Sequence, residues 1–471
     1  MSIIFIPRAS RTFLDPRAPR SLYAADDVVI SRADAQRAIE AVMKTSRADA
    51  VQALIRSSRT RNVRFAANQL STAGVVEDTT LVVTSFFGRK HAAVTTNDLS
   101  PESIERTVRK AEAIARLAPD DADALPVLGA QNYTDSSAAW DQTTADLDAA
   151  AVTTAANTAL APARKGTTLT VAGFLVTGAD AVAIGTSAGL FAYHRSTNAN
   201  YTLTVRTSDG TGSGWSGEDA VAWSGLNFSK VSAEAIEKAE RSRNPVAIEP
   251  GRYTVILEPQ AVGDLVGLMP RYFNARSADE GRSPFAKAGG GNKLGEAIVN
   301  PMISLTSDPT DRMVLTQPFD GDGMPLTKQS WITNGTLATM LVPRSWAARK
   351  NLVATGNPNN IILSGGNTSR EAMIASTQRG VLVTRLWYLR ETDPRTMSYT
   401  GLTRDGTFLI ENGRITKSIK NMRFNESPLF LLNNVEALGP VRRTASDGPG
   451  TQIMPIVKAR DFNFTSLSDA V

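Results

Sequence analysis

Zinc, copper and iron sites are built mainly from imidazole and thiolate. This 471-residue chain carries two histidines, His91 and His194, and no cysteine. Such an inventory all but excludes a conventional zinc enzyme. His91 follows Arg89-Lys90 at the end of a strand-like run, and His194 sits in Phe191-Ala192-Tyr193-His194-Arg195. Neither has an obvious nucleophile partner in sequence, so each is expected to be a surface or structurally satisfied imidazole rather than a catalytic base. Serine is abundant, but no G-x-S-x-G elbow is expected.

Two glycine clusters invite a phosphate-binding reading. Gly212-Ser213-Gly214-Trp215-Ser216-Gly217 spells G-x-G-x-x-G after a strand-like run. Glu218-Asp219 would place negative charge where a pyrophosphate should sit, and no clean βαβ unit surrounds the pattern. A flexible loop is the expected reading. Gly289-Gly290-Gly291-Asn292-Lys293 lacks the Gly-Lys-Ser/Thr ending of a phosphate loop and is expected to be a mobile loop that could border a substrate cleft. In Arg385-Leu386-Trp387-Tyr388-Leu389-Arg390, alternation would place Arg385, Trp387 and Leu389 on one strand face. That suits a core or interface strand better than a stacking platform for bases.

Composition narrows the class. Hydrophobic residues make up 42% of the chain, enough to bury sizeable cores, and the 21% of charged residues argues against wholesale disorder. The formal charge of +5 is a mild excess for this length, and basic residues alternate with acids along most of the chain. Direct nucleic-acid binding is therefore not expected. The most acid-poor stretch, with Arg8, Arg11, Arg17 and Arg20, is read as a solvated N-terminal arm over 1–30. The absence of cysteine removes any disulfide scaffold. No apolar run approaches the roughly 18 residues of a membrane span. Ile3–Ile6 is too short for the apolar region of a signal peptide, so the cytoplasm is the expected compartment.

Any site must be positioned by an α+β chain, read as two small helix-and-strand units followed by a β-rich unit. The first unit, 31–126, opens with a capping box at Ser31–Asp34 and apolar residues at helical spacing, Ala35, Ile39, Val42 and Met43. Strand-like runs follow at Val51–Ile55, Val63–Phe65 and Thr79–Phe87. Ser100-Pro101 starts a second helix. The second unit, 127–245, has an alanine-rich helix over Ala145–Ala161, strands at Leu169–Val176, Ala181–Ile184 and Tyr201–Arg206, and a helix from Ser232. From 246 to 471 strand-like runs dominate: Arg252–Leu257, Ser330–Ile332, Thr336–Val342, Gly380–Leu389, Thr407–Ile410 and Ile415–Ile419. Asn334-Gly335 and Asn412-Gly413 are hairpin dipeptides.

Five segments, in order, carry a family resemblance: Val63–Leu70 (VRFAANQL), Thr186–Leu190 (TSAGL), Glu280–Phe285 (EGRSPF), Gly323–Lys328 (GMPLTK) and Thr396–Asn412 (TMSYTGLTRDGTFLIEN). Together they resemble the TldD/PmbA family, historically called modulators of DNA gyrase. The resemblance implies one of two kinds of subunit. The TldD kind is a zinc metallopeptidase with a His-Glu-x-x-x-His helix and a distant cysteine ligand. The TldE, or PmbA, kind lacks those residues and pairs with the first.

The matching window is Pro259-Gln260-Ala261-Val262-Gly263-Asp264. By this alignment Pro259 stands at the first histidine, Gln260 at the glutamate, Asp264 at the second histidine, and Ala445, within a residue or two, at the cysteine. Proline and alanine have no side-chain donor, and glutamine cannot take a proton from water. The resemblance therefore implies a TldE/PmbA-like subunit with no catalytic, cofactor or metal site and no activity alone. It would form a heterodimer with a zinc-bearing TldD-like subunit, or a homodimer, and act on extended, unfolded or small peptides. A stand-alone hydrolase with non-zinc chemistry, or a binding scaffold for gyrase or another protein, is the alternative.

Overall fold

The computed structural model describes residues 28–164, 168–445 and 451–468. The arginines of the N-terminal arm lie outside the described residues. Helix α1 (Arg32–Thr45) begins as its sequence requires: Ser31 Oγ accepts the Asp34 N–H at 3.1 Å and donates to the Asp34 carboxylate at 2.6 Å. Ala35, Ile39 and Val42 are buried. The expected strands Val51–Ile55 and Val63–Phe65 are the two ends of one long strand, β1 (Ala50–Ala66). The polar residues between them keep pairing, because a ladder needs backbone groups rather than apolar side chains. β2 (Gln69–Phe87) and β3 (Lys90–Thr96) follow, then α2 (Pro101–Leu117), capped by Ser100.

The second half repeats this plan. A short helix α3 (Gln142–Ala145) precedes α4 (Ala149–Arg164), which starts later than expected and runs past Pro162. Then come β4 (Leu169–Thr186), β5 (Phe191–Thr207), β6 (Ser213–Ala220) and α5 (Phe228–Arg241). The G-x-G-x-x-G stretch is therefore mostly strand β6, not a loop. The units expected at 31–126 and 127–245 join edge to edge. Their strands form one antiparallel sheet in the order β3-β2-β1-β4-β5-β6. α1 and α4 lie over β1 and β4, α2 over β2 and β3, and α5 over β5 and β6. Two αβββα halves thus face each other about an axis between β1 and β4.

All these helices sit on one side. Val51, Ala53 and Ile55 point into one core, and Val63 and Phe65 into another. The alternate residues Arg56, Ser58, Thr60 and Asn62 point the other way, where no residue of the row is fully buried.

The third unit opens with β7 (Gly251–Leu257) and α6 (Pro259–Val266) and is built on a 13-stranded mixed sheet. β7 lies between the last strand, Thr451–Leu467, which is antiparallel to it, and Arg379–Val383, which is parallel. Both Asn-Gly turns form as expected, with φ of 47° and 80° at Asn334-Gly335 and 51° and 74° at Asn412-Gly413. Two expected strands are shorter or broken. Thr336–Val342 is strand only at Thr336–Leu337, and Gly380–Leu389 divides into Arg379–Val383 and Leu386–Asp393.

Candidate functional site

Helix α6 and the segments around it form the candidate site. Pro259 opens the helix, where its missing N–H costs nothing. Ala261, Val262, Leu265 and Val266 turn into the core of the third unit. Gln260 and Asp264, one turn apart, share the half-buried face. The Gln260 amide donates from Nε2 to Asp264 Oδ1 at 2.9 Å, and its Oε1 accepts the Ala445 N–H at 3.1 Å. Asp264 Oδ2 accepts the Leu386 N–H at 2.8 Å. Ala445 is buried, and a Cβ on Gly217 of β6 would stand 2.7 Å from its methyl group. The three candidate positions Gln260, Asp264 and Ala445 are thus brought together by hydrogen bonds, with Pro259 at the head of the same helix.

Glu258, just before the helix, is a residue that sequence reasoning missed. Its carboxylate lies 2.9 Å from Lys238 Nζ and 3.3 Å from Arg370 NH2. Burial alone would push this carboxyl up, but Lys238, Arg370 and Arg442 outweigh it and hold the group below the usual carboxylate range. The signal was a carboxylate preceding a proline at a helix start; its cations come from distant elements.

Two motif segments meet where the sheet joins the third unit. A Cβ on Gly323 would stand 2.8 Å from the Leu190 side chain, and Tyr133 donates to the Gly323 carbonyl at 2.8 Å. In VRFAANQL, Asn68 has a left-handed φ of 64°, and its side chain clamps β4 by accepting the Val171 N–H at 2.7 Å and donating to the Leu169 carbonyl at 2.8 Å.

Comparison with known families accounts for this frame along nearly its whole length. Domain 1 of the PmbA/TldA metallopeptidases matches residues 51–115, their central domain 96–243, and their C-terminal domain 250–466. The chain belongs to the PmbA/TldD family. It is 25% identical over 230 residues to a metalloprotease of Methanocaldococcus jannaschii, and 24% identical over 225 residues to a metalloprotease of Methanothermobacter thermautotrophicus. Those alignments cover 45% and 43% of this chain, and 49% and 46% of the relatives, about half the length of each. Among solved structures, TldE from Thermococcus kodakarensis superposes with a TM-score of 0.82 at 18% identity, covering 91% of this chain and 99% of that one. A Thermotoga maritima protein described in connection with DNA gyrase modulation gives 0.79 at 20% identity, covering 88% and 96%. At such identities the structural likeness is one of fold.

Within the PmbA/TldD frame, the zinc of the TldD kind can be tested against the side chains present. A peptidase zinc takes three protein donors and leaves one position open for water. Pro259 and Ala445 offer no donor atom, and both oxygens of Asp264 already accept N–H groups. Gln260 spans the space between two of the ligand positions, and an amide cannot serve as the base. These side chains do not fit a tetrahedral zinc. Among the described residues, no group of three or more His, Cys, Asp or Glu is placed to hold a metal.

The remaining sequence signals separate clearly. His91 is partly exposed against Phe86, with Nδ1 3.9 Å from Asp121 Oδ2. His194 is buried, and Ser136 Oγ lies 2.7 Å from its Nδ1. That serine is 58 residues away, beyond the reach of local reading. Gly185-Thr186-Ser187-Ala188-Gly189 spells G-x-S-x-G, but it joins two antiparallel strands rather than a strand and a helix, and Ser187 Oγ accepts the Val51 N–H at 3.0 Å. In β6 a Cβ on Gly214 would stand 2.2 Å from the Ala235 carbonyl, so this glycine lets α5 approach the sheet rather than a phosphate approach the backbone. Gly289–Gly291 form an exposed turn closed by an Ala286–Asn292 bridge, with left-handed φ at all three glycines. In EGRSPF, Phe285 stacks on Phe273 at 5.5 Å. Arg385 is buried between Trp215 and Trp387, at 4.2 and 4.5 Å from their ring centres, so the basic–aromatic run is consumed internally at this end. The alternation expected for it fails at a bulge after Trp387, and Tyr388 adopts φ 58°.

Proposed function

We propose that the chain is a non-catalytic subunit of the TldE/PmbA kind. It pairs with a zinc-bearing TldD-like subunit and helps enclose a chamber for unfolded or small peptides, in the cytoplasm. The observation that carries this reading is the Gln260 bridge to Asp264 and Ala445, which joins three of the family's chemical positions with an amide instead of a metal. The partnership is supported by likeness in fold to TldE. Exposed strand edge supports peptide or partner pairing: β3 pairs with β2 only over Leu81–Phe87, leaving the outer edge of Gln69–Thr80 without a neighbouring strand among the described residues. A homodimer is the assembly where no such partner exists.

Co-expression with an HExxxH relative from the same organism tests the reading. The two chains should co-elute on size exclusion, this chain alone should retain no stoichiometric zinc after dialysis, and peptide cleavage should need both. Separate elution with cleavage indifferent to this chain overturns it.

A hydrolase acting alone would need a nucleophile and a base, and the Ser136–His194 contact favours that second reading. Burial pushes this imidazole down to about 4, making it a weak base at neutral pH, and among the described residues no carboxylate orients its other nitrogen. Cleavage by this chain alone, lost in Ser136→Ala, would establish it.

A further inference from the structure

The helix-free face of the N-terminal sheet does not pack flat on the third unit. Between them lies a cleft of about 920 Å³. Strand register lays out its floor. One row across the sheet reads Asp78, Ser58, Asp180, Ser196, and the next reads Thr80, Arg56, Val182, His194. Residues paired across strands point to one face, and strands lie about 4.8 Å apart, so Asp78 and Asp180 face the cleft roughly 10 Å from each other. Asp219 follows on β6, and Asp320, Thr316 and Arg443 close the cleft from the third unit.

The polar lining is unfinished. His194 is 6% exposed; Ser136 takes up its Nδ1, and Nε2 is buried with no hydrogen-bond partner among the described residues. The Thr316 hydroxyl is also buried and unpartnered. Asp180 has Asn198 at 3.1 Å as its hydrogen-bonding side chain, and burial pushes its carboxyl up; burial pushes Asp320 up as well, although its Oδ1 accepts the Asp322 and Met324 N–H groups at 3.0 Å. Native proteins seldom leave buried groups such as His194 Nε2 and the Thr316 hydroxyl unsatisfied, and their meeting on one cavity suits a polar occupant. Four carboxylates, Asp78, Asp180, Asp219 and Asp320, face two cations, Arg56 and Arg443. Arg443 NH1 donates to the Met313 carbonyl at 2.9 Å, while its Nε is buried with no hydrogen-bond partner among the described residues. In the tautomer that carries its proton on Nδ1, the neutral His194 ring adds a lone pair at Nε2 to this set of acceptors. The occupant that fits is a cation with several N–H donors.

We propose that this cleft binds an alkylammonium or guanidinium group, presented as the side chain of a basic residue in an extended peptide. The proposal rests on the reading that the chain handles peptides, but it requires no partner subunit.

Calorimetric titration of the purified full chain tests it, with four blocked tripeptides, acetyl-Gly-X-Gly-amide with X as Arg, Lys, Leu or Glu, and with agmatine as a free guanidine. The Arg and Lys peptides should bind at least tenfold more tightly than the Leu and Glu peptides. Asp180→Asn should weaken them at least fivefold while the melting temperature is maintained. If Asp180→Asn fails to fold, Asp78→Asn, at the exposed rim, carries the same test. Equal binding of all four peptides, preference for the Glu peptide, or full affinity in a folded Asp180→Asn chain overturns the cation site. Agmatine binding as tightly as the Arg peptide overturns the peptide as its source. These results are independent of whether a partner subunit co-elutes, so either reading can fail without the other.

Discussion

Gln260→Glu restores the glutamate that the family's zinc-bearing subunits carry, yet the geometry requires it to damage this chain. At present Gln260 Nε2 donates across 2.9 Å to an Asp264 oxygen. A carboxylate in that place sets two acceptors against each other. The lost bond, made to a charged acceptor, is worth about 1.5–3 kcal/mol. Two unit charges roughly 4 Å apart add ~4 kcal/mol at an effective dielectric of about 20. The pair escapes part of this by holding a proton at a cost of about two pK units, so the net loss at neutral pH is about 3 kcal/mol. In a unit of this size that lowers the melting temperature by roughly 6–12 °C. The sign follows from linkage. A carboxyl whose pKa is raised in the folded state costs nothing below its unfolded value, near 4, and costs progressively more as pH rises through the folded value. The deficit of Gln260→Glu should therefore shrink between pH 7.5 and pH 5. Gln260→Met also loses the bridge and leaves the Ala445 N–H unpaired, for about 2 kcal/mol, but without charge, so its deficit should not change with pH. Urea unfolding followed by tryptophan fluorescence at the two pH values reads both, since Trp331 and Trp346 are buried in the same unit. If Gln260→Glu matches the parent chain at pH 7.5, or its deficit is the same at both pH values, the amide does not bridge Asp264 and Ala445.

Burial pushes His194 from 6.5 to about 4, so the folded state resists a proton that the unfolded chain accepts. Stability should fall by about 3 kcal/mol as pH drops from roughly 6.5 to 4 and level off below; His194→Gln should flatten that limb, and in the parent chain the His194 ring protons should not titrate by NMR between pH 7.5 and 5. Gly214→Ala places a methyl 2.2 Å from the Ala235 carbonyl and should cost about 1–3 kcal/mol, read as earlier unfolding of α5 in hydrogen exchange. Pro259→His with Asp264→His and Ala445→Cys should bind zinc only weakly, measured by competition with a chromogenic chelator. That triple variant should remain inactive until Gln260→Glu is added; peptidase activity without it would show that position 260 is not the base.

Local chemistry was the legible part of the chain. Ser31 and Ser100 announced two helix starts because a cap needs one hydroxyl three residues from an N–H. The two Asn-Gly turns were legible because few residues tolerate the left-handed φ that a type I′ turn demands. Strand length was not. Arg56–Asn62 holds no apolar residue and reads as a break in sequence, but its backbone pairs on both sides, and only β2 and β4 reveal that. The G-x-G-x-x-G pattern misled for a related reason. A glycine that admits a helix backbone and one that admits a phosphate answer the same steric need, and the sequence does not say which neighbour arrives.

The candidate site divides along the same line. Pro259, Gln260 and Asp264 were identifiable because their segment resembles the family's His-Glu-x-x-x-His helix, and i,i+4 spacing puts Gln260 and Asp264 side by side. The partners that give them meaning come from remote segments: the Ala445 N–H is 185 residues from Gln260, and the Leu386 N–H is 122 from Asp264. Reading residue types alone shows which donors a zinc site lacks. It does not show that a glutamine amide, donating from Nε2 and accepting at Oε1, can stand between a carboxylate and a backbone N–H and satisfy both. The cleft is more distant still from local pattern, since Asp78, Asp180 and His194 belong to three strands and meet only through register. A shift of one residue in any of those pairings would turn that strand's polar row toward the helices. The burial of Val51, Ala53 and Ile55 against α1 is what prevents the shift in β1. The helix-side core therefore fixes the register that assembles the polar wall on the other side, and core substitutions such as Ile55→Ala should disturb ligand binding in the cleft as well as stability.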